Sequence, residues 1–139
     1  IVRPIYETEN DLRNERSLSD VVSKKWRCEL QKLQPRDSFD YAAIRDGRVV
    51  AFVEMKNRTN EFSKYDTYMI SMTKLLHARN IKDATEIPCI LAVKWTDAIG
   101  WVKLNNVKSY VTMGGRFDRG DPQDVEPVCH INIKDFVLI

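Results

Sequence analysis

The sequence predicts a mixed α/β (α+β) fold: a central mixed β-sheet flanked by helices, in the order αβββαβ, with further strands at the C-terminus. Three observations point to it. An apolar stripe of helical period runs near the N-terminus, an Asp-Gly turn separates two β-rich runs at Phe39–Ile44 and Val49–Met55, and a second helical segment precedes the continuous apolar run Ile90–Val93.

The first helix is expected over residues 9 to 25. Thr8 followed by Asp11 resembles a capping box, and Leu12, Leu18, Val22 and Trp26 fall on one side of a 3.6-residue period. Trp26 to Leu30 then alternates apolar and polar residues until Gln34-Pro35-Arg36-Asp37 breaks the chain, so a strand is placed around residues 27 to 33. Between the next two runs, Arg45-Asp46-Gly47-Arg48 reads as a β-hairpin turn, because Asp-Gly readily takes positive φ. Ser63-Lys64-Tyr65-Asp66 resembles a second capping box. It opens a helix expected to carry Tyr68, Met69, Met72, Leu75 and Leu76 and to end near Asn80. Pro88–Trp95 reads as a buried strand with Trp101–Leu104 as its hairpin partner, and Val107–Met113, Val128–Ile133 and Phe136–Ile139 supply the C-terminal strands. A polar stretch after Gly114-Gly115 and through Pro127 lies among them and is surface, functional, or both.

Composition narrows the classes. With 139 residues, 43% hydrophobic and 30% charged, the chain suits one domain spanning 1–139 and neither a disordered nor a low-complexity polymer. No apolar run approaches the roughly 20 residues that cross a bilayer, so no membrane partner is expected. The start, Ile1-Val2-Arg3-Pro4, carries no initiator Met and no signal-peptide stretch; it is expected to be a processed or trimmed end, with a cytoplasmic location. Three widely spaced cysteines suit free thiols in a reducing compartment, and two histidines without a neighbouring Cys argue against zinc. Twenty-two basic against 20 acidic side chains leave a net charge of +2, so any polyanion must be held by a local patch. Neither histidine has a nucleophile context, and Gly114-Gly115 is no phosphate loop of the GxxxxGK type.

The chemistry concentrates on the hairpin. A two-residue period puts Phe52, Glu54, Lys56 and Arg58 on one face of their strand and Ala51, Val53 and Met55 on the other. Burying Glu54 in so apolar a strand costs several kcal/mol unless it is paired or coordinated. An internal Glu54–Lys56 ion pair on an exposed face explains the pattern equally well. The preceding strand carries Asp40, where β propensity disfavours Asp. A plain two-residue turn would send Asp40 to the face opposite Glu54. A three-residue loop or an equivalent bulge would pair Asp40 with Phe52, diagonal to Glu54 on one face, and this second register is expected. Glu15 lies in the stripe of the first helix, either at an edge reaching solvent or turned inward. With Asp40 and Glu54, an inward Glu15 would offer hard oxygen ligands suited to Mg²⁺ or Mn²⁺.

At these residues the sequence resembles the PD-(D/E)xK nuclease superfamily, whose signature is an acid on one hairpin strand and Glu-x-Lys on the next. Asp40 and Glu54-Met55-Lys56 match that signature, and Glu15 matches the helix acid of its resolvase-like branches. Glu54-Met55-Lys56-Asn57-Arg58 is similar to the Glu-Val-Lys-Ser-Arg strings of archaeal Holliday-junction resolvases, and small phage nucleases have comparable layouts. The resemblance covers residue 9 to about residue 96; Phe39 stands where Pro is usual. It implies a restriction-endonuclease-like core and a Mg²⁺/Mn²⁺-dependent deoxyribonuclease in a bacterial or infected host cell. Glu15, Asp40 and Glu54 would be metal ligands and, with Lys56, the catalytic set. Its partner would be DNA, with RNA left open, and a homodimer suits duplex or junction cleavage. The alternative is a non-catalytic nucleic-acid-binding or assembly module on the same scaffold. Arg58, Lys64, Lys74, Arg116 and Arg119 are the candidates for nucleic-acid contact, and Tyr65 and Tyr68 for stacking on bases or core packing.

Overall fold

The computed structural model describes residues 9–115 and 125–139, the side chains of 10–12, 115 and 125 excepted. The elements in chain order are α1 (Glu9–Trp26), β1 (Glu29–Lys32), β2 (Tyr41–Arg45), β3 (Arg48–Asn57), β4 (Thr67–Ser71), α2 (Met72–Thr85), β5 (Cys89–Lys94), β6 (Ile99–Lys103), β7 (Ser109–Gly115), β8 (Val125–Asn132), a 3-10 turn at Ile133–Asp135, and β9 (Val137–Leu138). Six strands form one mixed sheet in the order β1-β2-β3-β5-β6-β9, in which β3 and β5 run parallel and every other pair antiparallel. The expected core order αβββαβ is present with one strand, β4, inserted before α2. β4, β8 and β7 make a second antiparallel sheet that the sequence reading did not separate from the first.

The buried strands read as continuous apolar runs because both faces are covered. Val53, Met55, Ile90 and Ala92 pack with Leu18 and Val22 of α1. The alternate residues Phe52, Leu91 and Val93 pack with Leu75 and Ala78 of α2 and with Tyr68, Ile70, Cys129 and Ile131 of the second sheet. α1 thus covers one face of the large sheet, and α2 with the small sheet covers the other. β3 lies in the interior of the large sheet, as its composition demands.

The hairpin has a two-residue turn in which Asp46 (φ 54°) and Gly47 (φ 75°) both take positive φ, and Arg45 pairs with Arg48. A bulge then restores the parity. The register passes from Ile44↔Val49 to Ala43↔Ala51, leaving Val50 as the extra residue, and continues to Tyr41↔Val53. The expected bulge is present, but the expected partner is corrected. One residue added to an even turn sets Asp40 opposite Glu54 itself, not Phe52.

A second correction concerns α2. Residues 63–71 are not its first turns, since Tyr68 and Met69 lie on β4 and the helix begins at Met72. The N-cap is Ser71, whose Oγ accepts from Thr73 N–H at 3.2 Å, so Ser63 caps nothing in α2. Thr67 and Ser71 share one face of β4.

Candidate active site

Asp40 closes the open end of the β2–β3 ladder. Its backbone N–H donates to Val53 O at 3.1 Å, and its Oδ2 accepts the Met55 N–H at 2.8 Å, where a further backbone carbonyl would otherwise stand. The carboxylate is thereby fixed beside β3. Glu54 is 5% exposed, and both its oxygens face ammonium groups: Oε2 lies 3.5 Å from Lys56 Nζ and Oε1 3.3 Å from Lys74 Nζ. Lys74 reaches in from α2 and also donates to Ser38 O. The Glu54 carboxyl is pushed above its ordinary range, first by burial and next by the negative charge of Asp40; Lys56 and Lys74 pull it back only in part.

Glu15 meets this pair through a cation. Lys32 Nζ lies 2.5 Å from Glu15 Oε2 and 4.0 Å from Asp40 Oδ1, and 5.2 Å from the centre of the Tyr41 ring. The three acids are therefore linked, but Lys32 stands between the first two. Among the described residues no three His, Cys, Asp or Glu side chains form a ready-made metal cluster. Asp40 and Glu54 nevertheless fit a hard cation. They are carboxylates set opposite each other, one of them buried and resisting charge, and a divalent ion would relieve that electrostatic conflict.

The remaining candidates separate by position. Arg58, just beyond β3, lays its guanidinium 4.8 Å from the Tyr68 ring centre. Lys64 lies 5.4 Å from the ring centre of Tyr65, an exposed residue in the loop before β4. Lys74, a candidate for nucleic-acid contact, is turned inward to Glu54. Arg116 and Arg119 lie outside the described residues. The sequence reading missed Lys32 altogether and the inward direction of Lys74. Spacing on β1 or α2 carries no signal for either, because each partner comes from a distant element.

An acid at the open end of one hairpin strand, with a buried Glu-x-Lys on the next, is the arrangement spelled out by one family's name. The model of the family described as "Phage putative PDDEXK endonuclease" matches residues 1–139. The chain belongs to this endonuclease family. Membership makes the protein a nuclease. Among solved structures the chain is similar to Hjc, a Holliday junction resolvase from the archaeal hyperthermophile Archaeoglobus fulgidus. The TM-score is 0.59 at 11% identity, over 91% of this chain and 92% of that one. That likeness is one of fold, the restriction-endonuclease-like fold, and it extends into the C-terminal third that the motif alone did not cover. No curated protein matches the sequence. No helix among the described residues is long and apolar enough to cross a membrane.

Proposed function

We propose that this endonuclease hydrolyses DNA phosphodiester bonds with Mg²⁺ or Mn²⁺, and that Asp40 and Glu54, joined by Glu15, hold the ion. The observation that carries this reading is the buried Glu54 carboxylate, set against a second acid and flanked by two ammonium groups. A bound divalent ion supplies acidity to water and offsets negative charge on a phosphoryl oxygen. The protein's own groups do the rest. Asp40, locked by the Met55 N–H, keeps one oxygen toward the site. Lys56, whose side chain is 44% exposed, orients the attacking water and donates to the phosphoryl oxygen as charge builds there. Lys74 holds Glu54 in place from α2. Water oxygen bonds to phosphorus as it gives up a proton to solvent, the bond to the leaving sugar oxygen breaks, and that oxygen takes up a proton from solvent.

The nucleic acid is read as DNA from the resolvase likeness, and branched DNA is the first substrate to try. We read the active form as a homodimer, since two such sites acting together cut both strands; sedimentation velocity checks this by a mass twice that of the chain.

The experiment is degradation of plasmid, single-stranded and four-way-junction DNA with Mg²⁺, Mn²⁺ or EDTA. Cleavage is expected only with metal. Asp40→Asn, Glu54→Gln and Lys56→Ala should each lower the rate by roughly a hundredfold or more while DNA binding in EDTA persists. Wild-type protein that binds DNA and never cuts with either ion would establish the binding-module alternative instead.

A further inference from the structure

A cleft of about 570 Å³ opens along β4. Arg58, just past the end of β3 and two residues beyond Lys56, forms one wall, with its guanidinium over the Tyr68 ring. Tyr68, whose ring carries that guanidinium, is itself part of the lining. The lining is aromatic and polar together. Tyr65 and Met69 stand 57% and 56% exposed at its mouth. Phe62 and Trp95 pack edge to face at 4.9 Å and make its floor rigid.

His130 completes the wall and is held on every side that the fold controls. Its ring stacks on Tyr110 at 4.5 Å with 5° between planes, Nδ1 lies 3.1 Å from Thr67 Oγ1, and Nε2 lies 2.7 Å from Thr112 Oγ1. A ring fixed this way is a preformed surface, not a mobile side chain.

These features suit one chemical object. A space of this volume accepts a nucleoside-sized ligand, flat π surfaces recognise a flat base, and a guanidinium at the boundary meets a phosphate. A base stacked inside a duplex cannot enter, whereas an unpaired one can. We propose that this cleft binds an unpaired nucleobase of the DNA strand being cut, so that the substrate class is DNA with a single-stranded segment at the cleavage point. The inference rests on the nuclease reading and names its substrate.

The test uses the full chain and oligonucleotides carrying 2-aminopurine, whose fluorescence falls on stacking. In EDTA, single-stranded probe should be quenched on binding. Tyr65→Ala should weaken that binding about tenfold while duplex binding changes less than about twofold, and Tyr65→Trp should restore it. Met69→Glu, at an exposed position, should produce the same selective loss and guards against a folding defect in the first variant. With Mg²⁺ or Mn²⁺, Tyr65→Ala should raise KM on flapped or branched DNA and leave kcat alone. Absence of quenching, or equal losses on duplex and single strand, overturns the cleft assignment, and Glu54-dependent cleavage then still stands. Complete lack of cleavage with selective single-strand binding intact overturns the nuclease reading and leaves the cleft assigned as a base-binding site.

Discussion

Glu54 carries an electrostatic conflict. Burial and the neighbouring Asp40 both oppose its ionisation, and the two lysines compensate only in part. Lys74 keeps Ser38 O as a partner and Lys56 is half-exposed, so neither ammonium is stranded when the carboxylate is removed. Glu54→Gln is therefore expected to raise Tm at neutral pH in EDTA, and differential scanning fluorimetry reads it. Mg²⁺ or Mn²⁺ should raise the wild-type Tm and leave that of Glu54→Gln unmoved, because a ligand stabilises only the state that binds it. Tyr68 gives the pH counterpart. Burial pushes its phenol from 10.0 up to about 12. The folded state then holds a proton that the unfolded chain releases near pH 10. Stability from this group is complete below about pH 10 and is lost as pH rises toward 12, a loss of about 2–3 kcal/mol. Urea unfolding at pH 9 and pH 11.5 should show that extra fall in wild type and not in Tyr68→Phe.

The β2–β3 hairpin was legible in the sequence because its determinants are local. Asp46-Gly47 fixes the turn, and the acid-bearing strand next to Glu54-Met55-Lys56 follows from a period of two. The bulge at Val50 was legible only as a need, since two acids cannot cooperate across a sheet; its position is set by packing that periodicity does not contain. β4 was misread for a physical reason. Tyr68, Met69, Met72 and Leu75 satisfy helical steps as well as Tyr68 and Ile70 satisfy alternation, and the two patterns overlap through one short segment. The neglected signal was Ser71, a better N-cap than Ser63 because helix-forming Met72-Thr73-Lys74-Leu75 follows it directly. Its Oγ serves Thr73 N–H and also lies 3.3 Å from Glu126 Oε2 of β8. Ser71→Ala is expected to cost about 1 kcal/mol in chemical denaturation, and Ser71→Asp should restore part of it. Gly47→Ala, at φ 75°, should cost about 1 kcal/mol through the strained turn, although the space around the missing Cβ is open.

Across the whole molecule, charge is nearly balanced, so attraction to DNA comes from where the cations stand and not from their number. The positions of Lys56, Arg58 and Lys64 follow one path, from Glu54 past the Tyr68 ring to the Tyr65 ring. Lys32 and Lys74 are engaged with acids of the site and add little to that path. None of this was visible in the net charge; strands at Val107–Met113 and Val128–Ile133 were legible, but not β4 nor their separation with it into an opposing sheet that carries His130 and Tyr68. Association with DNA should therefore be only moderately sensitive to salt. Three phosphate contacts release counterions with a slope of log K against log salt of about −2 for a single strand and about −3 for a duplex. Fluorescence anisotropy in EDTA between 50 and 200 mM salt, as working concentrations of about the range in which such slopes are read, measures it directly. Arg58→Ala should flatten the slope by about 1 on both substrates, as the loss of one phosphate contact requires. A slope steeper than about −6 in wild type would mean that the cations holding DNA lie elsewhere, and the path along β3 would lose its role.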